Sequence, residues 1–547
     1  MSAGSKEQTA RVSRLISGPT SERFSAVSEL VPIWMWLGVL SVYYAFVTSA
    51  GTFESLTWHT DYYDLLAQGL REGHVHLPIK PSARLLAKAD PYDFKHWRHW
   101  LWDASLYNGR YYLYWGPVPG VCLLVFKTLT RWRDSIYDQW LVLAFMLGRL
   151  YAGAALIVSY ARTQGVKIPS WAQQLAVLVF GLSMPSPYFM ARPLVYEASI
   201  AAGQFFLLCG LYAAYRGVLQ RRLRLRRFVL AGVCFALAFG SRGSLLVVAP
   251  LLVLGIALVA ERQSGYRLRG IVTSLFALGT PVALGILSYA IYNKLRFDSF
   301  TEFGLKYQLT SRPFGTDTRF FLPNLISYFT SEVEWSCQFP YLRLPMTRTL
   351  SPLISWPEDY DTGEWDKGER TAGLIFAMTL SFLWAVWPVR AAVSCMRRLT
   401  GWRAGASFSL SDRELFLVGS ASAVLFAMLP ASRMWMANMR FLQDAAGGLL
   451  LGAIGAAFWL LRPAAVRVRP FARLRRRAGA LLYAVLSLHT IAAGVCLGFT
   501  GHMNNFQEEN PKLFKRLQQE LSLCRSQQRV QTRRDAQLPL AWTHAQR

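Results

Sequence analysis

The chain has 547 residues, 53% of them hydrophobic and 17% charged, with a mean hydropathy of +0.23. Its apolar residues fall in long runs rather than in the three-to-four periodicity of soluble helices, which argues against a soluble fold. A net charge of +27 would suit a nucleic-acid binder, but the basic residues form short clusters between apolar runs, where the positive-inside rule puts them. The charge therefore reads as topology, with no nucleic-acid partner.

Residues 1–28 form a polar tail, expected in the cytoplasm. The run from Leu30 to Ala50 is about twice the length of a secretory h-region, so it stays as the first membrane helix. Further apolar runs lie at 112–128, 139–160, 168–190, 195–215, 228–240, 244–260, 270–291, 371–391, 414–431, 441–461 and 478–500, judged against the ~20 residues that span hydrocarbon. Basic clusters at Arg216–Arg227, Arg262–Arg269, Arg390–Arg403 and Arg462–Arg477 belong on the cytoplasmic side. If every run crossed, the N-terminal tail with Lys6, Arg11, Arg14 and Arg23 would be forced outside. The run 112–128 is broken by Gly116-Pro117-Val118-Pro119-Gly120 and leaves too little to span, so it is read as a juxtamembrane or re-entrant element. About eleven crossings remain, which predicts an all-α polytopic membrane protein.

That count divides the chain into a transmembrane module at 29–291 containing a first outer loop 51–138, a second large outer loop 292–370, C-terminal membrane helices at 371–500, and an outer tail 501–547. Both loops are rich in Trp, Tyr and Pro, and the first also in His, which predicts juxtamembrane helices at the interface. No internal repeat is visible, and that weighs against a transporter. The seven cysteines show no CxxC and no ligand spacing, so neither a disulfide framework nor a zinc site is expected; Cys337 and Cys524 alone lie in polar segments. Arg149, mid-run, is expected to pair with a carboxylate inside the bundle.

Taken in chain order, Thr60-Asp61-Tyr62-Tyr63-Asp64 through Gly73 has helical periodicity. Asp61, Asp64, Gln68 and Arg71 share one face, and Tyr62, Leu65, Leu66 and Leu70 the other. This predicts a helix lying flat on the outer leaflet, its carboxylates toward water or a cavity, with Thr60 able to cap it. A solvated acidic face is the plain reading, but a pair of carboxylates just after a membrane helix can meet both lipid-borne and water-borne substrates. Five of eight histidines, His59, His74, His76, His96 and His99, fall in the same loop. No His-x-Glu or HExxH accompanies them, so no cofactor is expected and a divalent metal is not indicated. Asn108-Gly109 marks a turn between Asp103 and Arg110, in an aromatic run that suits an interfacial belt or a sugar-stacking surface. Arg192, Glu197, Arg242 and Arg440 stand at outer helix ends, where charge is costly and by default suggests function, although arginine also snorkels to the interface.

Asp61-Tyr-Tyr-Asp64, Asp103-Ala-Ser-Leu-Tyr-Asn-Gly-Arg-Tyr-Tyr, Arg192-Pro-Leu-Val-Tyr-Glu197 and Ser241-Arg242-Gly243-Ser244, in this order after one membrane helix, resemble the GT-C superfamily of membrane glycosyltransferases. The bacterial members related to protein O-mannosyltransferases and lipid A aminoarabinose transferases are the nearest in pattern. The resemblance covers about 30–300; beyond that it is one of topology. It implies a GT-C-like fold in a bacterial inner membrane and transfer of a sugar from a polyprenyl-phosphate donor to a periplasmic lipid, glycan or protein. The superfamily's catalytic aspartate maps to Asp61, but relatives carry adjacent acids where this chain has Asp61 and Asp64, so Asp61, Asp64 and Asp103 all stand as catalytic candidates. Inverting transfer needs a base and cations on the leaving phosphate; Arg110, Arg192, Arg242, Arg296, Lys306 and Arg440 are outer-side cations, and Tyr63, Tyr114, Tyr196 and Glu197 could meet sugar or acceptor. The rival readings are a transporter or flippase and an O-antigen polymerase or ligase.

Overall fold

The computed structural model describes residues 30–310, 316–345, 354–360, 370–400, 410–462, 469–501 and 504–524. The expected N-terminal tail 1–28 lies outside the described residues. Among the described residues nine helices are long and apolar enough to cross a bilayer. Two further helices coincide with runs expected to cross. Ser170–Leu182 is short, at 13 residues, and Arg224–Ser241 carries Arg224, Arg226 and Arg227 in its first turn. Val118–Thr130 begins just after Gly116-Pro117 and, at 13 residues, falls well below the ~20 needed to span.

The elements that build the candidate site are α1 (Val31–Thr48), α2 (Tyr62–Arg71), α3 (Val118–Thr130), α4 (Asp138–Arg162), α5 (Val195–Leu219), α6 (Arg224–Ser241), α7 (Leu268–Phe297), α8 (Met439–Leu461), α9 (Arg469–Thr500), α10 (Asn505–Glu509) and α11 (Pro511–Leu521). In α1, Ile33, Leu37, Leu40, Tyr44 and Val47 are buried while Trp34, Met35, Val39 and Val42 are exposed, an inward stripe at helical spacing with a lipid-facing back. The most apolar stretch of α8 is 89% buried and that of α7 17%, so α8 runs through the centre of the bundle and α7 along its edge. Small residues let α8 sit there, since close helix approach in a membrane relies on packing rather than on a hydrophobic gain. A Cβ on Gly448 would meet the Ala421 carbonyl oxygen at 2.7 Å.

Three expectations are corrected. Cys337 and Cys524 form a disulfide, with Cα atoms 5.6 Å apart and 187 residues between them in sequence. Spacing could not reveal the pair, because only the tertiary approach of the second outer loop to the tail brings them into bonding distance. Arg149 has no carboxylate partner among the described residues: it is fully buried beside Tyr44, and its guanidinium lies 4.6 Å from the Phe180 ring centroid. The carboxylates of the α2 face do not both look toward water or a cavity, since Asp64 is buried and paired with Lys127. The reason is that α2 packs on α3, so its acidic face meets a neighbouring helix instead of solvent.

Candidate functional site

Asp61 occupies the N-cap position of α2, yet its side chain makes no capping bond. The cap comes from another helix. Asp138, the first residue of α4 and wholly buried, accepts the Tyr62 amide at 3.2 Å, the Tyr63 amide at 3.2 Å and the Thr60 hydroxyl at 2.6 Å. Its own amide donates to the Thr60 carbonyl at 2.7 Å. These bonds satisfy amides that a helix start leaves orphaned, and they relieve Asp61 of the task. Thr60, expected to cap α2, instead donates to Asp138. Asp64 is held by Lys127 of α3 at 2.6 Å.

No side-chain partner engages Asp61 among the described residues. Desolvation pushes its carboxyl above the usual value, with Asp64 adding to the effect and its own backbone amide and His59 opposing it. A helix start favours the ionised form of a carboxyl, but here Asp138 takes up the first amides of α2 and burial sets the direction of the Asp61 shift.

Asp103 is the second acidic focus. It sits in the left-handed region at φ 60°, just before the hairpin of β1 (Ser105–Tyr107) and β2 (Arg110–Tyr112), whose register pairs Ser105 with Tyr112. Its carboxylate accepts the Tyr196 hydroxyl at 3.2 Å and the Gln308 amide at 3.0 Å. Gln308 also reaches the hydroxyls of Tyr114 and Tyr196, each at 3.1 Å. Burial pushes the Asp103 carboxyl up to about 6, against the pull of Arg440, Arg192 and the two hydrogen bonds. Tyr62 lies between the two foci: its hydroxyl donates to the Trp102 carbonyl at 2.5 Å.

The sign of the Asp103 shift fixes a pH dependence. A carboxyl whose folded pKa is raised contributes stability that is full below its unfolded value of about 3.9 and is lost as pH rises through the folded one. The unfolding temperature of the wild type, followed by tryptophan fluorescence in detergent, should therefore fall more between these limits than that of Asp103→Asn. Parallel curves would place the proton uptake elsewhere.

A close backbone approach joins this loop to the bundle. The Tyr63 hydroxyl donates to the Gly116 carbonyl at 3.3 Å. Gly116 packs so tightly on the Gly240 carbonyl and Ser241 that no Cβ would fit. This brings Trp115 edge-on to Tyr196, with centroids 4.6 Å apart, and sets the loop over the turn that carries Arg242.

The expected cations separate into distinct settings. Arg440 pairs with Glu197 at 3.2 Å and lies 4.7 Å over the Tyr196 ring, next to the Asp103 cluster. Glu197 also accepts the Leu194 amide at 3.2 Å, so it is anchored at the start of α5. Arg192, half-buried in the preceding turn, has no ion-pair partner among the described residues. Burial and the neighbouring Arg440 lower its pKa, while Glu197 and Asp103 raise it. Arg242 is paired with the fully buried Asp444 at 3.0 Å, which also accepts Ser244 at 2.8 Å, and it lies 5.1 Å from the Phe441 ring centroid.

The remaining three stand apart. Arg296 is buried, with its guanidinium donating to the Leu113 carbonyl and to Asn293 and stacked on Tyr292 and Phe297. Lys306 is exposed and pairs with Glu302 at 3.1 Å. Arg110 is exposed at the hairpin tip. Tyr63 is fully buried and offers no surface; Tyr114 and Tyr196 belong to the Asp103 cluster.

The structure thus gathers Asp103, Tyr114, Arg192, Tyr196, Glu197, Arg440 and, one turn deeper, Arg242 where α5 and α8 begin and α6 ends. Sequence reading did not single out Gln308, Asp138, Lys127 or Asp444. Asp444 had a usable signal, a carboxylate one turn after Arg440 in an apolar helix; Gln308 and Lys127 had none. Among the described residues no three His, Cys, Asp or Glu side chains are grouped to hold a metal ion.

No family model matches the chain, and no curated protein matches it. Its fold is similar to solved structures of the Archaeoglobus fulgidus oligosaccharyltransferase. For the apo form the TM-score is 0.43 at 13% identity. For AglB from the same organism in complex with an inhibitory peptide and a dolichol-phosphate it is 0.39 at 14%. In both cases 85% of this chain is covered, and it spans 56% of the neighbour's length.

Proposed function

We propose that this protein is a GT-C type glycosyltransferase, which moves a sugar from a polyprenyl-phosphate donor to a lipid, glycan or protein acceptor at the periplasmic face of a bacterial inner membrane. The observation that carries the reading is the state of Asp61. Around it Asp64 is taken by Lys127, Asp138 by three donors and Asp103 by two, whereas Asp61 keeps its accepting capacity and a raised pKa. A general base works best with a pKa near the operating pH.

In the proposed step the acceptor hydroxyl gives its proton to Asp61 as its oxygen bonds to the anomeric carbon. The bond from that carbon to the donor phosphate breaks, and the electron pair leaves on the polyprenyl phosphate. Arg192, with Arg440 beside it, supplies the positive field for that leaving charge. Tyr114 is buried against Trp115, so of these two tyrosines it is the half-buried Tyr196, beside Arg440, that can meet the sugar. Purified protein given a polyprenyl-phosphate sugar should release or transfer the sugar. Passage of intact donor across a vesicle membrane with no cleavage would identify a flippase instead.

A further inference from the structure

The proposed base sits on a short loop that is held from the far end of the chain. Glu509, at the end of α10, accepts the Thr57 amide at 3.0 Å and the Trp58 amide at 3.2 Å with its two carboxylate oxygens. Two residues later Thr60 is fastened to Asp138. The stretch from Thr57 to Thr60 is therefore pinned at both ends, and Asp61 follows directly.

Further contacts seat the tail. Asn505 donates to the Ala191 carbonyl at 2.7 Å, beside Arg192, and Asn510 donates to the Ala50 carbonyl at 2.9 Å, where α1 ends. Phe506 and Phe514 pack with Ala50, Leu56 and Phe339 in a small core separate from the bundle. The field of Arg192 reaches Glu508, opposing the desolvation and the Glu509 charge that raise its carboxyl. Finally the Cys337–Cys524 disulfide ties the end of the described tail to the second outer loop, where the Leu523 amide donates to the Cys337 carbonyl at 2.8 Å and the Phe339 amide to Ser522 at 3.1 Å.

Building on the glycosyl-transfer reading, we infer that Glu509 is a positioning residue for the Asp61 loop and that the Cys337–Cys524 disulfide keeps it in place, so that turnover depends on the oxidation state of the tail. A carboxylate that accepts two successive amides fixes the path of the backbone leading to the base, and small displacements of a reacting group are costly. A small aromatic core and a few hydrogen bonds seat α10 and α11, and the covalent link restricts their release. Reduction takes two electrons and two protons from an added dithiol, which closes to its own disulfide and leaves Cys337 and Cys524 as thiols.

The test uses the full chain in nanodiscs with two readouts: deuterium uptake in the peptide spanning residues 52–61, and kcat and KM for a polyprenyl-phosphate sugar. Glu509→Ala should raise uptake at the Thr57 and Trp58 amides and lower kcat by about ten- to a hundredfold, with donor KM little changed. Glu509→Gln, which keeps an accepting oxygen, should fall between. Dithiol treatment of the folded wild type should raise the same uptake and lower kcat in parallel, without the folding risk of a double Cys→Ser variant. Unchanged uptake in Glu509→Ala overturns the positioning role whatever the kinetics. Raised uptake with unchanged kcat overturns its link to chemistry. A wild type that cleaves no lipid-linked donor overturns the glycosyl-transfer reading, and the uptake arm then still decides the clamp.

Discussion

Asp61→Asn should lower turnover by roughly 10²–10⁴ while the protein stays folded and inserted, the loss expected when a general base is removed. Among the described residues the side chain has no hydrogen-bond or ion-pair partner to lose, and α2 is capped by Asp138 rather than by Asp61, so the amide keeps the fold and removes only the proton acceptor. Asp64→Asn tests the opposite situation. It leaves Lys127 buried without its counter-charge, with side-chain exposures of 13% and 9% for the pair, and breaking such a pair costs on the order of 3–5 kcal/mol. Its signature is a lower unfolding temperature more than a lower kcat. Near-normal turnover in Asp61→Asn, together with abolished turnover in a stable Asp103→Asn protein, would move the base to Asp103.

Arg192→Gln should weaken donor use by more than roughly tenfold without unfolding the protein, since one charge-assisted contact to a phosphate in a dry site contributes on the order of 2–4 kcal/mol. Arg242→Gln should behave differently, although the two arginines look alike in sequence. It strands Asp444, whose side chain is fully buried and depends on Arg242 and Ser244, and an uncompensated buried charge costs about 3–5 kcal/mol. Melting curves and donor saturation measured on both variants separate the two effects. Equal donor saturation in wild type and Arg192→Gln would remove Arg192 from the phosphate site, and an unchanged melting temperature in Arg242→Gln would show that Asp444 finds another partner.

The sequence by itself determined the membrane class and which segments lie between the apolar runs. Apolar runs of spanning length and arginine clusters are local properties, and the bilayer acts on each of them separately. The break at Gly116-Pro117 was legible for the same reason, because proline acts on the helix that contains it. The first-loop carboxylates, Arg192, Glu197 and Arg242 could also be picked out, since charge near the ends of apolar runs is expensive wherever it occurs.

What those charges are engaged in was decided only by the tertiary structure. Asp61 and Asp64 share a helix face, and periodicity treats them alike; the crossing of α2 with α3 gives Lys127 to Asp64, while no described side chain engages Asp61. Asp138 reads as an ordinary first-turn acid of α4, but it caps a helix 75 residues earlier in the chain. Gln308 joins Asp103 from 205 residues away, and Cys337 meets Cys524 across 187. Spacing along a chain fixes which residues share a face of one element. A buried charge, amide or thiol takes its partner from whichever other element packs against it, and that choice is made by the helix crossings and loop paths of the folded bundle.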